Sequence, residues 1–120
     1  PENFAGLDLS GKLSLVRGDT EVVSGIQVRL TGGHTRGHQL VEIQGSDGCA
    51  VHLGDVLPTH THTNPLWIMA YDNFPLDIIE QKERLLPHYQ QQNCWFTLYH
   101  DAFMKACRLD ARGRVTEQLS

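Results

Sequence analysis

The chain contains 120 residues, of which 40% are hydrophobic and 20% charged, a composition typical of a single globular domain with a buried core. Ten basic residues against 14 acidic residues give a net charge of −4, and the absence of a basic run argues against nucleic acid as a partner. No apolar stretch is long enough to cross a bilayer, so the sequence does not predict a membrane protein.

Short strands and turns are predicted for the first quarter of the chain. Residues 1–10 carry scattered apolar residues and are interpreted as a loop or arm. Alternation of apolar and polar residues predicts strands over residues 12–16 and 22–30, with a turn at residues 17–20 between them. In the second of these strands Ile26, Val28 and Leu30 share one face.

Two further strands each lie next to a polar corner that contains glycine. The first corner is the sequence Thr31-Gly32-Gly33-His34-Thr35-Arg36-Gly37-His38. Residues 38–44 then form a predicted strand, and the glycines at both ends of residues 45–48 indicate a hairpin turn. Residues 49–53 form the next strand, which ends on Gly54-Asp55. Glycines allow the sharp turns and close approaches that such corners require.

An irregular segment and one helix occupy the middle of the chain. Residues 56–75 contain three prolines and two histidines, and a long irregular segment in a small domain is often a functional loop. Residues 66–71 are interpreted as a short helical turn. An apolar stripe with Pro75 at its start predicts the main helix over residues 75–92, which Pro87 should bend or end.

The last third of the chain is predicted to be a buried strand followed by a hairpin. Residues 94–99 form the strand, which ends on His100-Asp101. Residues 104–109 and 114–119 form the hairpin around a turn at residues 110–113. One domain over residues 1–120 accounts for all of these elements.

The three cysteines, Cys49, Cys94 and Cys107, lie in apolar strand patterns, and none belongs to a C-x-x-C pair. They are interpreted as reduced, buried thiols, which predicts a reducing, cytoplasmic location. A zinc site made of cysteines is not expected.

Three strand ends carry side chains that can bind a metal, namely His34, Asp55 and His100. Neutral imidazole and carboxylate groups are good ligands for zinc, iron and manganese. Each residue also has an ordinary interpretation, because a polar residue at a strand end often bonds only to backbone or caps a turn. The three residues together favour a metal site.

The sequence Gly33-His34-Thr35-Arg36-Gly37-His38, followed by Gly54-Asp55 and His100-Asp101, resembles the second half of a metallo-β-lactamase-fold hydrolase, in the branch of lactonases and general metal-dependent hydrolases. The resemblance covers about residues 10–110, and Arg36 replaces the usual proline of the family pattern. It implies an α/β (α+β) fold: the C-terminal half of an αββα sandwich, with a mainly antiparallel or mixed sheet and one main helix at about residues 75–92.

The resemblance also assigns roles to individual residues. His34 would bind a first metal, His100 a second, and Asp55 would bridge the two and orient the hydroxide held between them. His38 and Asp101 would support these ligands. The metals implied are two divalent ions, zinc first, with iron or manganese as alternatives. The substrate would be a small ester, lactone or phosphoester.

The H-x-H-x-D-H motif that begins the family's metal site is absent from the sequence. The H-x-H at His60-Thr61-His62 follows Asp55 and lacks the Asp-His pair. The resemblance therefore implies a half-domain whose partner is its own N-terminal half. We expect this half alone to be inactive, and its exposed apolar edge predicts self-association, for example as a homodimer.

The irregular segment is predicted to line the substrate pocket. His60, His62, Trp67 and Tyr71 are the candidate contacts, with Met69 and Phe74 as further apolar walls. Ordinary core packing of the apolar side chains and simple solvent exposure of the two histidines are the competing interpretations.

Two other functions compete with the hydrolase. The chain could be a non-catalytic β-rich module that binds a protein or ligand, in which case His34, Asp55 and His100 need not converge. Alternatively, it could be a simple metal-binding protein that uses His60 and His62 with His34.

Overall fold

The computed structural model describes Gly6 and residues 10–120, so most of the arm predicted at residues 1–10 lies outside the described residues. From residue 10 onward the chain forms seven strands and one main helix. The strands are β1 Thr20–Val23, β2 Ile26–Leu30, β3 Gln39–Gly45, β4 Gly48–His52, β5 Trp95–Thr97, β6 Ala106–Leu109 and β7 Val115–Leu119, and the helix is α1 Pro75–Gln91. Short 3-10 turns lie at Gly54–Val56 and His60–Thr63.

The strands form one mixed sheet in the order β1-β2-β3-β4-β5-β6-β7. Neighbouring strands are antiparallel except β4 and β5, which are parallel. A parallel pair requires a long crossover, and the segment from residue 53 to residue 94, which includes α1, provides it. The C-terminal ends of β4 and β5 therefore lie at the same edge of the sheet.

Helix α1 covers one face of the sheet, where Tyr89 donates a hydrogen bond to Glu42 of β3. The core between helix and sheet is almost entirely apolar. Its fully buried members include Leu40, Val51, Leu53, Val56, Ile78, Phe96 and Cys107.

The opposite face of the sheet is apolar across β2 and β3 but is not covered by another layer of the described chain. Ile26 pairs with Ile43 and Val28 pairs with Val41 across β2 and β3. Leu30 and Ile43 remain 47% and 41% exposed. A continuous apolar face of this kind marks an interaction surface.

Helix α1 is confirmed close to its predicted bounds, with Pro75 as its first residue. Pro87 does not end the helix, which continues to Gln91. Proline removes the bond to the carbonyl of Glu83, and both residues are exposed, so water can satisfy that carbonyl.

Three predicted local structures are wrong. Residues 12–16 form no strand, and residues 66–71 form no helical turn. The strand predicted over residues 22–30 is two strands, β1 and β2, joined by a tight turn at Ser24-Gly25. Gly25 has φ +81°, and a Cβ there would come within 2.7 Å of the Gln44 carbonyl oxygen, so only glycine fits.

The cysteine prediction is also wrong in part, because Cys49 and Cys94 form a disulfide whereas Cys107 is a free, buried thiol. The parallel register pairs Ala50 with Trp95, which places the preceding residues, Cys49 and Cys94, side by side. Burial raises the pKa of the Cys107 thiol to about 11, so this residue is an unreactive core side chain.

Within the described part of the chain, no helix is both long and apolar enough to cross a membrane.

Candidate metal centre

His34 lies in the corner between β2 and β3, and its ring is oriented by a hydrogen bond at Nδ1. Its Nδ1 lies 2.9 Å from Oδ1 of Asp72, a carboxylate that is only 1% exposed. Asp72 also accepts a hydrogen bond from the Met69 backbone N–H, at 2.8 Å. Because a carboxylate can only accept, Nδ1 carries the proton in the neutral ring, and the lone pair of His34 lies on Nε2.

Asp55 follows Gly54 in the 3-10 turn after β4, and His38 holds its backbone. The Asp55 N–H donates to Nε2 of His38, at 3.0 Å. Gly54 has φ +54°, and a Cβ there would lie 2.6 Å from the same His38 nitrogen. A glycine before Asp55 is therefore required for the close approach of His38.

The charge state of His38 follows from its hydrogen bonds. Nε2 accepts a hydrogen bond from the Asp55 backbone N–H, so the ring proton lies on Nδ1, which donates to the Thr31 hydroxyl at 2.5 Å. Burial lowers the pKa of His38, against the opposing effect of the Asp55 carboxylate. His38 is thus a neutral residue beneath the site, and its lone pair is already used.

His100 reaches Asp55 from the end of β5. Its Nε2 lies 3.1 Å from Oδ1 of Asp55, and the ring is 48% exposed. The ring of Tyr99 stacks on that of His100 with centroids 3.9 Å apart. The crossover between β4 and β5 brings these two strand ends together.

The two oxygens of the Asp55 carboxylate face different histidines. Oδ1 faces His100, and Oδ2 lies 3.6 Å from Nε2 of His34. Both strand ends and the glycine-rich corner therefore converge, whereas a binding module without a metal site does not need His34, Asp55 and His100 to meet. Among the described residues, no three His, Cys, Asp or Glu side chains are arranged to hold a single metal ion.

The chemistry of these atoms fits divalent metals. Nε2 of His34 and Oδ2 of Asp55 both present lone pairs across a 3.6 Å gap, which is too long for a hydrogen bond. Two acceptors facing each other are stabilised by a cation between them. Imidazole nitrogen and carboxylate oxygen are the donors that zinc, iron and manganese accept.

A second pair of a histidine and a buried carboxylate lies beside the centre. Nδ1 of His60 lies 2.5 Å from Oδ2 of Asp101, which is 1% exposed, and the His60 backbone N–H donates to the same oxygen. Burial acts to raise the pKa of Asp101, but hydrogen bonds from His60 and Phe103 outweigh it and lower the pKa to about 2. Asp101, which directly follows His100, thus ties the loop after β4 to the segment after β5.

His62 has a separate environment. Its Nδ1 lies 2.7 Å from the Thr59 hydroxyl, and burial together with the charge of Lys82 lowers its pKa. The structure does not bring His60 and His62 into one metal-binding group with His34 in the part of the chain that it describes. This arrangement removes the basis for a simple metal-binding protein built on those three residues.

The predicted pocket residues differ in their placement. The ring of Tyr71 meets the ring of His34 edge to face, with centroids 6.3 Å apart, and its side chain is exposed. Trp67 is also exposed, whereas Phe74 lies under the Arg36 guanidinium, 5.6 Å from the ring centroid. Met69 contributes its backbone to Asp72. Among the predicted pocket residues, Tyr71 is therefore the one whose aromatic ring contacts a candidate ligand.

Sequence reasoning missed Asp72 and Thr31, which orient His34 and His38. Asp72 is one of several polar residues in an irregular segment, 38 positions after His34. A carboxylate just before a helix is also a common feature of helix starts. The sequence therefore carried no signal that separated a helix-start carboxylate from a hydrogen-bond partner of His34.

No protein-family profile matches the sequence, and no curated protein sequence matches it. Solved structures do match. A probable metal-dependent hydrolase from Staphylococcus aureus superposes with a TM-score of 0.87 and 40% identity, over 93% of this chain and 41% of that one. AidC, a dizinc quorum-quenching lactonase, gives a TM-score of 0.73 at 14% identity, over 92% and 38% of the two chains.

A third structure, an N-acyl homoserine lactone hydrolase with its product at the catalytic metal centre, gives a TM-score of 0.63 at 23% identity. That match covers 74% of this chain and 36% of the other. The present chain thus spans about two fifths of the length of the solved structures that it matches. The two lactonases show the fold alone at these identities, whereas the staphylococcal protein is also similar in sequence.

Proposed function

The chain has the fold of the metal-dependent hydrolases of the metallo-β-lactamase superfamily, and from this premise we propose that it contributes part of a dinuclear hydrolytic centre. His34 and His100 would each bind one metal ion, and Asp55 would bridge the two. The substrate class is a small molecule with an ester, lactone or phosphoester bond. Zinc is the proposed metal, supported by the donor set and by the dizinc lactonase of the same fold.

One observation supports this proposal above the others. The single Asp55 carboxylate presents Oδ1 to His100 and Oδ2 to His34. A carboxylate that bridges two ions needs its oxygens divided in this way. Two bound ions would supply Lewis-acid polarisation of the substrate and a nucleophile at neutral pH.

The chain's own residues would orient the reacting groups. Asp72 holds the His34 ring with its Nε2 lone pair toward Asp55, and His38 fixes the backbone at Asp55. Asp55 would accept a hydrogen bond from the attacking water and set its direction. Tyr71 and Trp67 would form the apolar wall of the pocket and exclude other water, while His60 and His62 would lie at its margin.

The apolar sheet face opposite α1 supports a partner for this chain. We propose that the partner is the N-terminal half of the same fold, which would add the missing metal ligands and cover the exposed Leu30 and Ile43. Without that half each metal would have too few protein ligands, so the isolated chain should be inactive. Turnover by the isolated chain with zinc or manganese, well above the rate of the free metal, would contradict this part of the proposal.

A cytoplasmic location stays a prediction. It depended on reduced cysteines, and the disulfide between Cys49 and Cys94 removes that basis.

A protein that joins this chain to the proposed N-terminal half, called here the full-length protein, allows a direct test of the activity. Hydrolysis of an aryl ester, an acyl lactone and a phosphotriester would be measured with zinc or manganese and after chelation. We expect turnover of one class that chelation abolishes and that Asp55→Asn lowers at least about 100-fold.

Asp47→Asn is the matched control, because Asp47 lies in the exposed turn before β4, at the opposite end of that strand from Asp55. It makes the same chemical change and should leave turnover within about two-fold of the parent. Hydrolysis that survives both chelation and Asp55→Asn would contradict the proposal.

A further inference from the structure

Lys82 is a charged side chain inside the core of this chain. It lies on α1 among the apolar residues that face the sheet, and it is only 1% exposed. Lysine is almost never fully buried unless its ammonium group has a partner. Here Nζ donates a hydrogen bond to the backbone carbonyl of Trp67.

The bonded carbonyl belongs to the segment 64–74, which joins the second 3-10 turn to α1. The last part of this segment is bonded to the glycine-rich corner that carries His34. The Asn73 and Phe74 N–H groups donate to the carbonyls of His34 and Gly33, respectively. Within the described chain, the first part is held by short-range hydrogen bonds to Asn64, by packing of Ile68 against the core and by Lys82. Lys82 therefore provides the hydrogen bond from α1 to the part of the segment that carries Trp67.

Charge also links Lys82 to the candidate metal centre. The carboxylate of Asp72 attracts its ammonium, although no ion pair forms within 4 Å, and Asp72 is the group that orients His34. The positive charge of Lys82 also contributes to lowering the pKa of His62. The segment from residue 67 to residue 72 thus has a positive charge beneath it and a negative charge at its end.

Packing alone does not explain a lysine at this position. Burial lowers the pKa of Lys82 to about 8, so the fold disfavours its charge. A methionine would fill the same space without that cost. Burial disfavours the charge of Lys82, and its ammonium donates to the Trp67 carbonyl. Lys82 is therefore better explained by the segment that this hydrogen bond positions.

We propose that Lys82 is a positioning residue that holds segment 64–74 over the metal centre, so that Trp67 and Tyr71 form the substrate wall. The expected effect on catalysis rests on the proposed hydrolase function. The expected effect on the segment itself does not, and the two can be measured separately.

The test compares the Lys82→Met variant of the full-length protein with the unsubstituted full-length protein. We expect amide hydrogen exchange at residues 67–72 to become at least ten-fold faster, while exchange in β3, β4 and the middle of α1 stays unchanged. We expect KM to rise at least five-fold, with kcat changed by less than two-fold. Lys82→Gln, which keeps a donor without the charge, should restore part of the exchange protection.

Lys105→Met is the control, because Lys105 is exposed and its ammonium bonds to the backbone of Ser120 at the chain terminus. It should change neither readout. Unchanged exchange at residues 67–72 in Lys82→Met, or faster exchange throughout the sheet, would overturn the inference. If the parent protein shows no hydrolysis at all, the proposed function fails, and the exchange result still decides the role of Lys82.

Discussion

At the scale of single residues, His38 joins the two corners that supply His34 and Asp55. Its ring accepts from the Asp55 N–H and donates to the Thr31 hydroxyl, and its carbonyl accepts from the Thr31 N–H at 2.9 Å. The partly buried, neutral ring has no lone pair left for a metal but sets the distance between two candidate ligands. Its position depends on Gly54, which leaves room for Nε2.

Gly54→Ala tests this dependence. The new Cβ would collide with the His38 ring and occupy a left-handed backbone conformation, so we expect the free energy of unfolding to fall by about 2–3 kcal/mol. Gly37→Ala is the control, because nothing lies within 4 Å of its Cβ position, and it should change stability by less than about 0.5 kcal/mol. Urea unfolding measures both. Equal stability of the two variants would contradict the packing argument.

The Asp72 carboxylate provides a second prediction at this scale. Asp72→Asn removes the charge that holds the proton on Nδ1 of His34, so we expect zinc affinity to fall about 10- to 100-fold. Competition with a chromophoric chelator measures the affinity, with Asp47→Asn as the control. An affinity unchanged by Asp72→Asn would mean that the His34 ring does not need this partner.

The candidate ligands were predictable from sequence, whereas the residues that orient them were not. His34 and Asp55 stand next to glycines at strand ends, and His100 follows an apolar strand, so local pattern identifies them. Asp72 meets His34 only after the chain has passed through β3, β4 and the irregular segment. That contact depends on tertiary packing, which local pattern does not contain.

At the scale of elements, strong periodicity and turn residues identified α1, β3, β4 and the last hairpin. The errors lie where a few residues decide between alternatives, as at Ser24-Gly25, where a turn divides one apolar pattern into β1 and β2. The disulfide is a different kind of error. Cys49 and Cys94 are 45 residues apart and meet only because β4 and β5 are parallel neighbours.

Helix α1 gives a prediction about pH. The pKa of Lys82 is about 8 in the folded chain against the ordinary lysine value of 10.5, so between these values the unfolded chain binds more protons than the folded one. Stability must then rise with pH in this interval. We expect the free energy of unfolding of the parent protein to gain about 2–3 kcal/mol over Lys82→Met between pH 8 and pH 10.5.

Denaturant unfolding of both proteins at several alkaline pH values measures this difference, because His62, whose pKa the Lys82 charge lowers, is neutral there in both proteins. The rise in the difference should begin near pH 8, because Lys82 is protonated in both states well below that value. A difference that is constant up to pH 10.5 would show that the folded chain does not disfavour the lysine charge.

At the scale of the whole molecule, the sheet has one face covered by α1 and one apolar face uncovered by any described layer. Ile43 and Leu30 on that face are 41% and 47% exposed. Apolar area exposed in this way favours association, at about 25 cal/mol for each Å² removed from water. The isolated chain should therefore self-associate when the proposed N-terminal half is absent.

Ile43→Lys tests the surface involved. A lysine in the middle of the apolar face should weaken the self-association of the isolated chain at least about ten-fold, because its charge must be desolvated on contact. Gln91→Lys, at the exposed end of α1, adds the same charge away from that face and should have no effect. Sedimentation equilibrium gives both constants. A monomeric parent chain at about 100 µM would contradict the prediction.

Asp55 is the residue on which the proposed centre depends, because two metal ions would share it, one beside His34 and one beside His100. The most direct test is the zinc content of the full-length protein and of three variants, measured by native mass spectrometry. We predict about two ions in the parent, about one in His34→Ala and in His100→Ala, and fewer than one in Asp55→Asn. A parent protein without zinc, or a zinc content that none of the three substitutions changes, would contradict the shared role of Asp55.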